Sequence, residues 1–191
     1  MKLARPVKKS LLSQGFGVSG TQEYLIPLYN KYGLKAHNGW DWVTKSGSEV
    51  RFEALDCYGK VTHTISDESF GNYVIIITED KDGCFKHIYG HLKSFSCKPG
   101  DILQSGDLIG LADNTGVSTG SHLHRGLKEA VLKGSIYITK NKDNGYNGAI
   151  DIAPYYKKNI YIKDYIDILQ GQISILKKLI KLFKGLLLIN K

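Results

Sequence analysis

A change of period along the chain constrains its fold more than any other feature. From residue 10 to about 156, short apolar runs alternate with glycine-containing turns, the pattern of an antiparallel β domain. After Tyr156 the apolar residues Ile162, Ile166, Leu169, Ile173, Leu176, Ile180, Phe183 and Leu187 recur at spacings of four and three, which predicts a long amphipathic helix. The 191 residues therefore read as a mainly β domain over 1–156 followed by a separate helical element over 157–191.

Within the β region the clearest strands are VIIIT (74–78), CFKHIYGHL (84–92) and SHLHRGL (121–127). Asp82-Gly83 between the first two predicts a hairpin turn. The segments GSEVRFEALDCYGKVTHT and DILQSGDLIGLADNTG read as further short strands around glycines. Hydrophobic residues at 42% and charged residues at 23% give the balance of a chain with a real core, which excludes a disordered or low-complexity protein.

The helical element carries Lys177, Lys178, Lys181 and Lys184 on its polar side and no acidic residue beyond Asp167. Its lysines interrupt every apolar run before the roughly 20 residues needed to span a bilayer. Packing on its own domain or self-association, attachment to a membrane surface, and docking to a wall or partner all fit such a stripe. The net charge of +8 favours anionic surroundings such as nucleic acid, lipid or wall polymers. No recognition motif accompanies that charge, so no nucleic-acid partner is predicted.

Cys57, Cys84 and Cys97 form an odd set without a Cys-x-x-Cys pair, which excludes a cysteine zinc cluster and a full disulfide framework. Three ordinary thiols and a single disulfide both remain open. The opening MKLARPVKKSLLSQGFG lacks the apolar stretch of roughly 7–15 residues found in a secretory signal. A target outside the cytoplasm would then be reached by lysis, in a particle, or through another carrier.

Three fragments carry chemistry. In Ser121-His122-Leu123-His124 the histidines lie two apart on a predicted strand, so both imidazoles project from one face. His37-Asn38-Gly39-Trp40-Asp41 supplies an imidazole and a carboxylate around a glycine, and Tyr89-Gly90-His91-Leu92 adds an imidazole at a strand end. Zinc binds such groups at about 2.0–2.2 Å, and a catalytic site supplies three of them and leaves one position for water.

In this order HNGWD, YGHL and STGSHLH resemble the lysostaphin-like (LytM-type) zinc endopeptidases that cut bacterial peptidoglycan. SQGFGV (13–18), GDILQSGDLIGLADNTGVSTG (100–120) and IDIAPYY (150–156) also resemble that family's entry segment, glycine-rich hairpin and closing segment, so the likeness covers roughly 10–156. It implies an antiparallel β-sheet core of the duplicated hybrid type and one zinc ion held by His37, Asp41 and His124. His91 and His122 become the catalytic imidazoles, which share proton transfer and oxyanion stabilisation. His63 and His87 match no motif histidine and read as structural or surface residues. Two departures stand out: Arg125 follows the His-x-His where the family often has an aromatic residue, and LKGSIYITKNKDNGYNG (132–148) is a long insert.

The resemblance implies a zinc metalloendopeptidase acting on peptide stems or cross-bridges of peptidoglycan, on the outer or periplasmic side of the cell. The missing export signal and basic tail suggest a phage-type lysin or virion-associated lytic protein. Trp40, Trp42 and Tyr89 would either line a groove for an extended peptide or pack in the core. The rival reading is a catalytically inactive relative that serves as a wall-binding or activator module. A biotinyl- or lipoyl-type carrier domain is suggested by GDILQSGDLIG alone and is opposed by the absence of a lysine in ADNTG.

Overall fold

The computed structural model describes residues 1–17, 20–81 and 83–156, together with Lys177 and Ile180. Ten strands follow in order: β1 (Leu12–Gln14), β2 (Trp40–Val43), β3 (Glu49–Arg51), β4 (Gly59–Asp67), β5 (Gly71–Asp80), β6 (Gly83–Phe95), β7 (Ile102–Leu103), β8 (Leu108–Ala112), β9 (His122–Lys133) and β10 (Ile136–Thr139). A 3-10 turn (Gly20–Leu25) leads into the short helix α1 (Ile26–Lys31), and a second 3-10 turn spans Ala153–Tyr155.

All named strand pairings are antiparallel, as the alternation and hairpin signals predict. The sheet runs β1-β2-β9-β6-β5-β4-β7, with β10 added on β9 and β8 bridging β3 to the end of β6. Strand β6 is the hub, pairing with β5 on one side and β9 on the other. The β5–β6 hairpin closes at Asp80↔Gly83, one residue earlier than the predicted Asp82-Gly83 turn; Asp82 itself lies outside the described residues. The long insert after β9 folds into β10, which pairs back on β9 from Ile136↔Lys133 to Thr139↔Ala130.

One face of these strands builds the core. Trp42, Phe52, Ile76, Tyr89, Leu92, Ile109, Leu123 and Leu127 are fully buried together. Burying such side chains contributes about 1.5–3 kcal/mol each, so the core fixes which face of every strand is left for chemistry.

The chain divides into two compact units, Met1–Tyr156 and Lys157–Lys191. The predicted terminal helix falls in the second unit and lies outside the described residues, except that Lys177 and Ile180 are helical. No helix among the described residues is long and apolar enough to cross a membrane. The three cysteines are free thiols, each half-buried.

Candidate metal and catalytic centre

Strands β2 and β9 pair with Asp41 opposite His124 and Val43 opposite His122. Residues directly opposite share a face, so the pairing brings the carboxylate of the first motif onto the imidazoles of the third. His37, just ahead of β2, completes a triangle. His37 Nε2 lies 3.1 Å from His124 Nδ1 and 3.2 Å from Asp41 Oδ1, and His124 Nδ1 lies 3.0 Å from the same oxygen.

The chemistry of this donor set calls for a cation. The His37 Nδ1–H donates to the Gly15 carbonyl at 2.8 Å, which leaves Nε2 as a bare lone pair in the neutral ring. Asp41 offers only lone pairs. With both rings neutral, at most one proton, on His124 Nδ1, is available to hold three acceptor atoms together. A tetrahedral ion with bonds of about 2.0–2.1 Å has ligand atoms roughly 3.3–3.4 Å apart, within a few tenths of an ångström of the observed edges. The triangle therefore fits a zinc-like ion held by His37 Nε2, Asp41 Oδ1 and His124 Nδ1.

Protonation states agree with that fit. Burial alone would raise the Asp41 pKa, but the neighbouring His37 and His124 outweigh it and hold the carboxyl well below the usual range. Burial pushes His124 down, which favours its neutral, ligand-competent form. The glycine of HNGWD proves to serve close approach rather than flexibility. A Cβ on Gly39 would stand 2.6 Å from His124 Cε1 and 2.8 Å from the Arg125 carbonyl oxygen, so any side chain there displaces the ring.

The other two imidazoles stand alongside. The His91 and His122 rings have centroids 4.5 Å apart, and His122 Nε2 is 3.6 Å from Asp41 Oδ2. His122 donates from Nδ1 to the Gly120 carbonyl at 2.8 Å, with the Ser118 hydroxyl at 3.1 Å. His91 donates from Nδ1 to the Thr115 carbonyl at 2.7 Å. In the neutral form of either ring the opposite nitrogen, Nε2, carries the lone pair.

Strict strand alternation would send His91 into the core with Tyr89. Instead the register of β5 against β6 shifts between Val74↔Tyr89 and Asn72↔Leu92, and His91 takes a φ of 60°. A positive φ is strained for a residue with a Cβ. The backbone is held there by His91 N–H donating to the Phe70 carbonyl at 2.8 Å and by Asp113 N–H donating to the His91 carbonyl at 2.9 Å. This bulge re-aims one side chain into the site. Burial, then the proximity of His124 and His122, lowers the His91 pKa to about 4.

All five side chains line a cavity of about 350 Å³. Leu28, Tyr29, Tyr32, Phe70, Val117 and Ser118 line it as well. The sequence singled out neither Leu28, Tyr29 and Tyr32 nor Phe70; Gln14, within SQGFGV, donates its amide to the Tyr29 hydroxyl at 2.5 Å.

Trp40, Trp42 and Tyr89 do not line the cavity, which corrects their expected role in a substrate groove. Trp40 and Trp42 alternate with Asp41, so their indoles point to the other side of the sheet, where both are buried in the core. Trp40 stacks on Tyr156 at 5.2 Å and donates to Asp151 at 3.0 Å. Tyr89 is fully buried and donates to Glu53 Oε2 at 2.5 Å. His63 is exposed. His87 is fully buried and receives a hydrogen bond from Arg125 at 2.6 Å.

The chain is similar to known peptidases in sequence and in fold. The model of peptidase family M23 matches residues 35–142. Peptidoglycan DD-endopeptidase ShyB of Vibrio cholerae is 36% identical over 88 residues, which cover 46% of this chain and 19% of that protein. A zinc containing peptidase from Vibrio cholerae is similar at 26% identity and a TM-score of 0.52, over 77% of this chain and 37% of that one. The catalytic domain of the antimicrobial peptidase lysostaphin from Staphylococcus simulans shares the fold at 22% identity and a TM-score of 0.53, over 76% of this chain and 91% of that domain. The chain spans less than a fifth of the length of the curated relatives it matches first. Because the family model covers more than half of the residues and includes HNGWD, YGHL and STGSHLH, the chain belongs to peptidase family M23.

Proposed function

We propose that this chain is a zinc-dependent endopeptidase that hydrolyses peptide bonds in the stems or cross-bridges of bacterial peptidoglycan. The observation that carries the reading is the triangle of His37 Nε2, Asp41 Oδ1 and His124 Nδ1, with edges of 3.0–3.2 Å, beside two further imidazoles in one cavity. An inactive binding module has no need of that full set. The substrate class is supported by the similarity to the peptidoglycan DD-endopeptidase ShyB. The zinc containing peptidase among the structural neighbours supports the choice of ion.

When bound, a zinc ion supplies polarisation of the scissile carbonyl and lowers the pKa of a water from 15.7 toward about 7. The chain's own residues do the rest. His91 Nε2 is a lone pair in a ring kept neutral by burial, so it is the stronger candidate to accept a proton from the attacking water. The proton taken from the water is the one passed back to the leaving amine, and His122, held at Nδ1 by Gly120 and Ser118, aims its Nε2 at the same space and shares in carrying that proton. The cavity walls hold the peptide and exclude water. Residues 1–156 are the proposed catalytic unit. The segment 157–191 is a proposed attachment or self-association element.

The test combines metal analysis with wall digestion. One zinc per chain, loss of turbidity of a cell-wall suspension, and released fragments whose masses identify a hydrolysed peptide bond are expected. A chain that binds one zinc and releases nothing from walls of several chemotypes would instead be the wall-binding module.

A further inference from the structure

A second polar cluster lies on the same side of the sheet. Along β9, His122, His124, Gly126 and Lys128 share one face, and Lys128 is the cross-strand partner of Lys86 on β6. Like charges placed directly opposite on a sheet are destabilising. The chain adds a third. Lys142, in the loop that follows β10, acts electrostatically on both lysines, and the same loop packs against β9 through the Lys128↔Ala149 bridge and the Ile150 N–H bonded to the Leu127 carbonyl at 2.9 Å.

Among the described residues none of the three lysines makes an ion pair. Glu129, next along β9, is paired with Lys140 at 3.8 Å, and Glu79 on β5 is engaged by the Tyr137 hydroxyl. Lys128 is half-buried. Burial, followed by the repulsion of Lys86 and Lys142, pulls its pKa down to about 8. Lys86 and Lys128 are half-buried directly opposite each other and Lys142 is exposed in the adjoining loop, an excess of positive charge that a bound oxyanion would offset.

We propose that Lys86, Lys128 and Lys142 form an oxyanion-binding site, for a carboxylate or phosphate group, on the sheet face that carries the histidine cluster. Lys128 lies four positions along β9 from His124, about 13 Å on an extended strand. It is a distinct binding site, defined by charge, and its existence does not depend on which bond the histidine cluster cuts.

The full chain carrying isotope-labelled lysine, titrated with inorganic phosphate and separately with acetate at constant ionic strength, tests this by NMR of the lysine side chains. Saturable shifts confined to Lys86, Lys128 and Lys142, with phosphate raising the pH at which Lys128 titrates, are expected. Phosphate alone saturating the site would indicate an anionic polymer, whereas acetate saturating it too would indicate a peptide carboxylate. Lys86→Gln and Lys142→Gln are each expected to weaken phosphate binding about tenfold. Shifts that fail to saturate, shifts spread evenly over all lysines, or unchanged affinity in the Lys86→Gln/Lys142→Gln double variant would overturn the proposal. Because the readout is local to these lysines, it is unaffected by whether the histidine cluster proves hydrolytic.

Discussion

Two buried polar clusters sit on opposite sides of strand β9 and use nearly the same ingredients. On one side His124 joins His37 and Asp41; on the other Arg125 joins Glu53, Tyr89 and His87. The Arg125 cluster is closed. Its guanidinium donates to Glu53 at 2.6 Å, to His87 Nδ1 at 2.6 Å and to the Gly126 carbonyl, and lies 4.7 Å from the Tyr89 ring centroid. His87 Nε2 is 2.8 Å from the Thr78 hydroxyl, and each of the three guanidinium nitrogens has an acceptor. The His124 cluster is open: three acceptor atoms crowd together with too few protons. A buried cluster that supplies its own cation is structure, and one that lacks it is a site for an ion.

That contrast can be broken or sharpened. The largest effect is expected at the open cluster, where His124→Ala should remove both zinc retention and wall cleavage, leaving activity at background by metal analysis and turbidity. Next, His122→Ala should lower cleavage by about 10²–10⁴-fold while zinc stoichiometry stays at one per chain. Loss of the metal in that variant would mean that the two histidines have exchanged roles.

At the closed cluster the cost is expected in stability. Glu53→Ala leaves Arg125 as an uncompensated buried charge and should destabilise the fold by about 3–5 kcal/mol in denaturant unfolding. Replacing both partners with apolar residues of similar volume should recover most of that loss, which no pair of changes at the His37–Asp41–His124 triangle would do for zinc binding.

A smaller effect comes from pH. His87 is held well below its ordinary pKa by burial and by the adjacent Arg125, so the folded state refuses a proton that the unfolded chain accepts near pH 6.5. Its contribution is fully present above about pH 6.5 and is lost as pH falls, at about 1.4 kcal/mol per pH unit. Unfolding midpoints at pH 7 and pH 5.5 measure it, and His87→Gln should flatten the slope. The smallest effect is expected from truncation after Tyr156, which should leave hydrolysis of a soluble cross-bridge peptide unchanged and alter only attachment to walls or self-association.

Much of the site was legible because strand parity is a local property. The two-residue spacing of His122 and His124 already put both imidazoles on one face. The same rule, applied to Trp40-Asp41-Trp42, separates the indoles from the carboxylate and explains their burial. His91 was legible only as a motif residue, since parity points it into the core and a register shift with a positive φ turns it out. The Arg125 departure had no reading at all from sequence, because Glu53, its counter-charge, is 72 residues away.

The amino-acid sequence by itself determined the donor types, their order and the strands that carry them, because periodicity and side-chain chemistry are written residue by residue. Only the tertiary structure decided which atoms meet and in which protonation state. Those outcomes depend on the backbone carbonyls of Gly15, Thr115 and Gly120, which orient the rings of His37, His91 and His122. Every residue carries a carbonyl, so its place in a site is set by the path of the chain and leaves no mark in the sequence.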